Sequence, residues 1–147
     1  MTTVDLTVTI DRPVEDVFRV LTNPATTPRW STNAIEEHVT TAGPVGVGSR
    51  RRATIKRFGG GTTENEIEVT AIEANRRLAM RSVESPVPFS SAYTLTPIGP
   101  STRVDWSWAF ELNGVLRLLG PLVASMFART FRADLGRLKS MMGADEL

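Results

Sequence analysis

Few residues in this chain have the chemistry to be catalysts. The sequence holds one histidine, His38, and no cysteine. A general base is most often a histidine, but His38 sits in the polar run EEHVT and is expected at the surface. One imidazole and no thiolate leave no nitrogen- or sulfur-rich metal site, and no metal or other cofactor is expected. No serine lies in the strand–turn–helix setting of a nucleophile elbow. Gly59-Gly60-Gly61 lies between two strands, lacks a following Lys-Ser/Thr and opens no helix, so it is not a phosphate loop. No catalytic residue is assigned.

The residues that remain suit binding. Trp106, Trp108 and Phe110 alternate on one strand and form an aromatic row. Such a row is either a flat wall for an aromatic ligand, with indole N–H groups as donors, or plain core packing. Tyr93 falls on a neighbouring strand. Trp30 and Phe89 lie near loop ends and are candidates for a cavity mouth, and Met80 joins the expected lining. Arg51 shares the parity of Ala53 and Ile55 and is a candidate to point inward, where it could hold a ligand carboxylate. Glu64, Glu66 and Glu68 alternate against Ile67, Val69 and Ala71. They are expected to face water and to pair with Arg50, Arg52 and Lys56.

The elements that must position these groups are legible as periodicities. Residues Thr3 to Ile10 alternate with period two and predict a strand. Pro13, Glu15 and Asp16 mark the start of a short helix carrying Val14, Val17, Phe18 and Leu21. A second short turn runs from Pro24 to Trp30. Strands follow at Ala34 to Thr40, Arg50 to Phe58, Thr62 to Ile72, Arg77 to Val83, Phe89 to Thr96 and Thr102 to Leu112. Short connections make successive strands antiparallel hairpins. The last stretch carries apolar residues at Val115, Leu118, Leu119, Leu122, Met126, Phe127, Phe131, Leu135, Leu138 and Met142, one stripe of a long helix. Pro121 after Gly120 predicts a break, with the main helix starting there. The half with Leu122, Met126, Phe127 and Phe131 is expected to lie over the sheet, and Leu135 to Met142 to seal the core.

Length and composition set bounds. The 147 residues suit one domain, taken as 1–147. Seventeen Lys and Arg against 16 Asp and Glu give a net charge of +1, which offers no electrostatic case for nucleic acid. The N-terminus has no basic start followed by an apolar run, so no signal peptide is visible. The run Val115 to Ala128, interrupted by Arg117, Gly120 and Pro121, reads as too short for a membrane span. A cytoplasmic monomer or homodimer is the expectation.

The order of elements predicts an α+β fold: a curved seven-stranded antiparallel sheet wrapped around a long C-terminal helix. That order resembles the START-like superfamily of helix-grip proteins, also called SRPBCC or polyketide cyclase/dehydrase-like. The resemblance is carried by the strand-to-helix start Ile10-Asp11-Arg12-Pro13-Val14-Glu15-Asp16-Val17-Phe18 and by Asn23-Pro24 to Trp30. It continues in the turn Gly43-Pro44-Val45-Gly46-Val47-Gly48-Ser49-Arg50 and the helix end Leu135-Gly136-Arg137-Leu138-Lys139. It implies a cavity between sheet and helix that binds a hydrophobic small molecule (lipid, polyketide or aromatic compound), with the Leu122 to Phe131 half of the helix as its lid. A polyketide cyclase or dehydratase, with Tyr93 or Arg51 as polar group, is one alternative. A co-chaperone-like interaction module, with a filled core and an exposed apolar patch, is another.

Overall fold

The computed structural model describes residues 2–56, 60–85 and 87–147. The expected strand end and turn at residues 57–59, and Pro86, lie outside the described residues. Strand β1 (Thr2–Ile10) leads into helix α1 (Val14–Thr22), a 3-10 turn (Pro24–Thr26) and the single-turn helix α2 (Thr27–Trp30). Strands β2 (Ala34–Val39), β3 (Arg50–Lys56), β4 (Thr62–Glu73), β5 (Arg77–Glu84), β6 (Phe89–Ile98) and β7 (Ser101–Phe110) follow. A 3-10 segment (Gly114–Leu119) then runs into helix α3 (Gly120–Gly143). All seven strands form one antiparallel sheet in the order β1-β7-β6-β5-β4-β3-β2. This is the helix-grip arrangement that the order of elements predicts.

Alternation drives the sheet. Val4, Leu6 and Ile10 of β1 are buried, as are Val104, Trp106 and Phe110 of β7 beside them. Glu64, Glu66 and Glu68 do face outward, against Arg52 at 3.0 Å, Arg50 at 3.6 Å and Arg81 at 3.4 Å. Such half-exposed pairs contribute little stability. His38 is exposed, 4.0 Å from Glu36.

Helix α3 runs down the β1 edge. Its first residue, Gly120, is buried so close to β1 that a Cβ there would lie 3.1 Å from Thr2 Oγ1. At the far end Arg12 donates to the Met142 carbonyl at 3.0 Å. Phe131, Leu135, Leu138 and Met142 are buried, and each such side chain contributes about 1.5–3 kcal/mol by leaving water.

The N-terminal half of the stripe behaves differently: of the residues expected to form a lid, Phe127 and Phe131 pack over the sheet, whereas Leu122 and Met126 do not. Leu122 is 61% and Met126 46% exposed, and Val115, Leu116, Leu118 and Leu119 are also exposed. The segment Gly114–Gly143 is 30 residues long and, by length and composition alone, apolar enough to cross a bilayer. That differs from the expectation of an interrupted run too short to do so, because the 3-10 segment and α3 join without a gap. Its C-terminal half is built into the protein core, as a core helix is. Backbone amides before Phe127 are expected to exchange with deuterium faster than those of 131–142, since few buried contacts hold them. Uniform protection along the segment would contradict this placement.

Candidate functional site

The aromatic row faces α3. Trp106 stacks on Tyr93 at 5.2 Å and lies 4.7 Å from Phe131, and Trp108 lies 4.8 Å from Phe127 and 5.1 Å from Phe131. Phe110 meets Phe127 at 5.3 Å, Phe89 stacks on Trp108 at 5.7 Å, and Trp30 sits edge-on to Trp106 at 6.5 Å. One continuous aromatic cluster therefore joins α2, β6, β7 and α3. Met80 is half-buried against the same core. Two concavities lie elsewhere. One, of about 350 Å³, is between Asp5–Val8 of β1 and Arg132, Leu135 and Gly136 of α3. The other, of about 340 Å³, lies among Thr70, Ala79, Ser90, Ala92, Ser107 and Ala109. Ser107 and Ala109 alternate with the aromatic row, which places the second on the sheet face turned away from α3.

Beside the aromatic cluster lies a polar one that sequence reasoning largely missed. Glu37, Ala53 and Asn65 are register partners in one row across β2, β3 and β4. Ala53 is small, which leaves room between the two longer side chains. Arg51, 3% exposed, reaches Glu37 Oε1 with Nη1 at 3.0 Å. Asp134, fully buried on α3, accepts from the Thr32 backbone N–H at 3.0 Å, from the Thr32 hydroxyl, and from Arg137 at 3.3 Å. Arg137 also donates to the Trp30 carbonyl at 2.7 Å, clamping α3 to α2. Of the residues expected at the site, Trp30, Arg51, Tyr93, Trp106, Trp108, Phe110, Phe131, Phe127 and Phe89 thus share one buried or half-buried neighbourhood; Leu122 and Met126 do not reach it.

Four buried side-chain atoms have no hydrogen-bond partner among the described residues: Trp30 Nε1, Arg51 Nη2, Asn65 Oδ1 and Asp134 Oδ2. Two are donors and two are acceptors. Native interiors leave few such groups, because each costs about 1–3 kcal/mol unless something else satisfies it. The indole N–H of Trp106, by contrast, donates to Ser91 Oγ at 2.8 Å.

Electrostatics set the character of the cluster. Burial raises the Glu37 carboxyl above its ordinary range, with the Arg51 charge and its hydrogen bond pulling the other way. Burial also raises the Tyr93 phenol, and the Glu37 charge adds to the effect. Tyr93 therefore keeps its proton through the neutral range and is a hydrogen-bond donor. Arg51 is paired with Glu37 at 3.0 Å, a partner that competes with the carboxylate-holding role expected of it. Among the described residues no three His, Asp or Glu side chains converge as a metal site would need.

The model of a family described as polyketide cyclase / dehydrase and lipid transport matches residues 1–143. The chain belongs to this family. No curated protein matches the sequence. Among solved structures the chain is similar to TTHA0849 from Thermus thermophilus, at 19% identity over 99% of both chains, with a TM-score of 0.82. It is similar to a START superfamily protein from Mycobacterium smegmatis, at 16% identity over 95% of this chain and 96% of that one, TM-score 0.82. It also matches the di-domain ARO/CYC protein BexL from the BE-7585A biosynthetic pathway, at 19% identity and TM-score 0.76, covering 95% of this chain and 46% of BexL. At these identities the likeness shows the fold. The polyketide cyclase / dehydrase and lipid transport family points to hydrophobic ligand binding or cyclase activity.

Proposed function

We propose that this protein binds a hydrophobic small molecule whose apolar body lies against the aromatic cluster and whose polar end meets the Arg51 cluster. The reading is supported by a wall of aromatic rings together with four buried polar atoms that lack partners, one of them the indole N–H of Trp30 within that wall. Two donors and two acceptors ask for a group that both accepts and donates. Arg51 is already neutralised by Glu37, so the group is neutral: a phenol, an enol or a hydroxy-ketone. A polycyclic keto-phenol has both parts. Admitting it requires Phe127 and Phe131 to turn, and both sit next to the half of α3 that is least held by the core.

The test is titration with a neutral hydroxyanthraquinone, with an anthraquinone sulfonate as the anionic control. The double variant Glu37→Met/Arg51→Met removes the ion pair together, and so is expected to fold. It should weaken binding of the neutral ligand about tenfold or more, the worth of one or two hydrogen bonds to a charged donor. Equal binding by both proteins, or preference for the sulfonate, would count against the reading.

The cyclase alternative draws on the position of the Tyr93 phenol, buried in the sheet and stacked on Trp106. It requires Tyr93→Phe to abolish turnover while leaving ligand affinity nearly unchanged. In a carrier there is no turnover to lose.

A further inference from the structure

We propose that the exposed apolar surface at the start of the C-terminal helical segment docks this protein on an anionic phospholipid bilayer. Val115, Leu118 and Leu122 are 81%, 84% and 61% exposed, and Leu116, Leu119 and Met126 extend the same surface. Grouping of large apolar side chains on this scale marks an interaction site. The most apolar 18-residue window of the segment has a mean hydropathy of 1.2, yet only 11% of it is buried. Val115, Leu116, Leu118, Leu119, Leu122 and Met126 are apolar enough for lipid and are left out of the core.

Charge selects the partner. Between Leu112 and Ala133 the only charged residues are Arg117, Arg129 and Arg132, and all three are exposed. Leu122, Met126 and Arg129 are spaced by four and three residues, so one outward face passes from apolar to cationic along its length. A bilayer interface has that same order, with acyl chains below and phosphates above. Leucines enter it while arginines extend to the phosphate level. A second copy meeting this face across a two-fold axis would bring arginine toward arginine with no carboxylate between. Docking by this surface needs no interior ligand, although Phe127 and Phe131 on the same turns would bring the aromatic cluster close to the lipid.

Flotation of the full-length protein tests it, with vesicles of phosphatidylcholine alone and with about a third phosphatidylglycerol. The expected result is binding to the anionic vesicles that weakens as salt is added. Leu118→Glu/Leu122→Glu should lower it at least about tenfold, and Arg117→Gln or Arg129→Gln about fivefold each. Thermal melting should stay unchanged, because the altered side chains are exposed. Failure to float with anionic vesicles at low salt overturns the proposal. So does flotation indifferent to the leucine substitutions, or equal on neutral vesicles. A wild-type dimer that does not float, and that Leu118→Glu/Leu122→Glu converts to monomer, would assign the surface to a second copy instead.

Discussion

Arg51→Met is expected to destabilise the protein by about 3–5 kcal/mol at neutral pH, the usual cost of stranding one member of a buried ion pair. Glu37 would be left with its side chain only 8% exposed and without its cation. The double variant Glu37→Met/Arg51→Met should recover to within about 1 kcal/mol of wild type or exceed it, since apolar replacement of a buried pair is often neutral or stabilising. The loss in the single variant should also depend on pH. Glu37 already holds its proton more tightly in the folded protein than in the unfolded chain, and removing Arg51 takes away the cation that opposes this. Its contribution to folding is therefore fully present below the ordinary carboxylate pKa and is lost as pH rises through the raised folded value. Urea melts should show Arg51→Met closest to wild type under mildly acidic conditions and furthest from it at neutral pH. A deficit that does not change with pH would mean that Glu37 is solvated.

Trp106→Ala carries the other large expected effect, about 3–5 kcal/mol. The ring is 8% exposed. It is stacked on Tyr93, in contact with Phe131 and edge-on to Trp30. Truncation removes three aromatic contacts and leaves the Ser91 hydroxyl without its donor. Trp106→Phe keeps most of the stacking and should cost markedly less. Leu122→Ala and Met126→Ala should each stay within about 0.5 kcal/mol of wild type, as exposed positions do. A large loss at Leu122 would mean that the helix start is packed rather than exposed.

The fold was legible because most of its strands alternate and most of its turns are short. Period two holds in β1, β6 and most of β7, and is broken by register shifts where β4 meets β5 and in β2. Two features of the site were not. Glu37 follows a register shift between Ala34 and Glu36. One extra residue there turns every later side chain of β2 to the opposite face, so parity counted through EEHVT misleads. The two halves of the C-terminal stripe look alike in sequence, since exposure depends on whether a sheet lies opposite, and spacing does not report that. Other features were readable. Asn65 has the inward parity of Ile67 and Val69. Asp134 lies three residues after Phe131 on the apolar stripe, and a carboxylate in that position is a signal of a buried polar role.

The indole N–H resonances of the three tryptophans report on whether a ligand reaches the buried polar cluster. In the free protein Trp106 should show a hydrogen-bonded signal and Trp30 one without a partner. On adding the neutral hydroxyanthraquinone, the Trp30 signal should move as its N–H gains an acceptor, while that of Trp106 keeps its Ser91 bond. If the ligand binds with the Trp30 resonance unmoved, and only signals from residues 114–126 respond, the polar cluster is not the binding site and the outer face of the helix is.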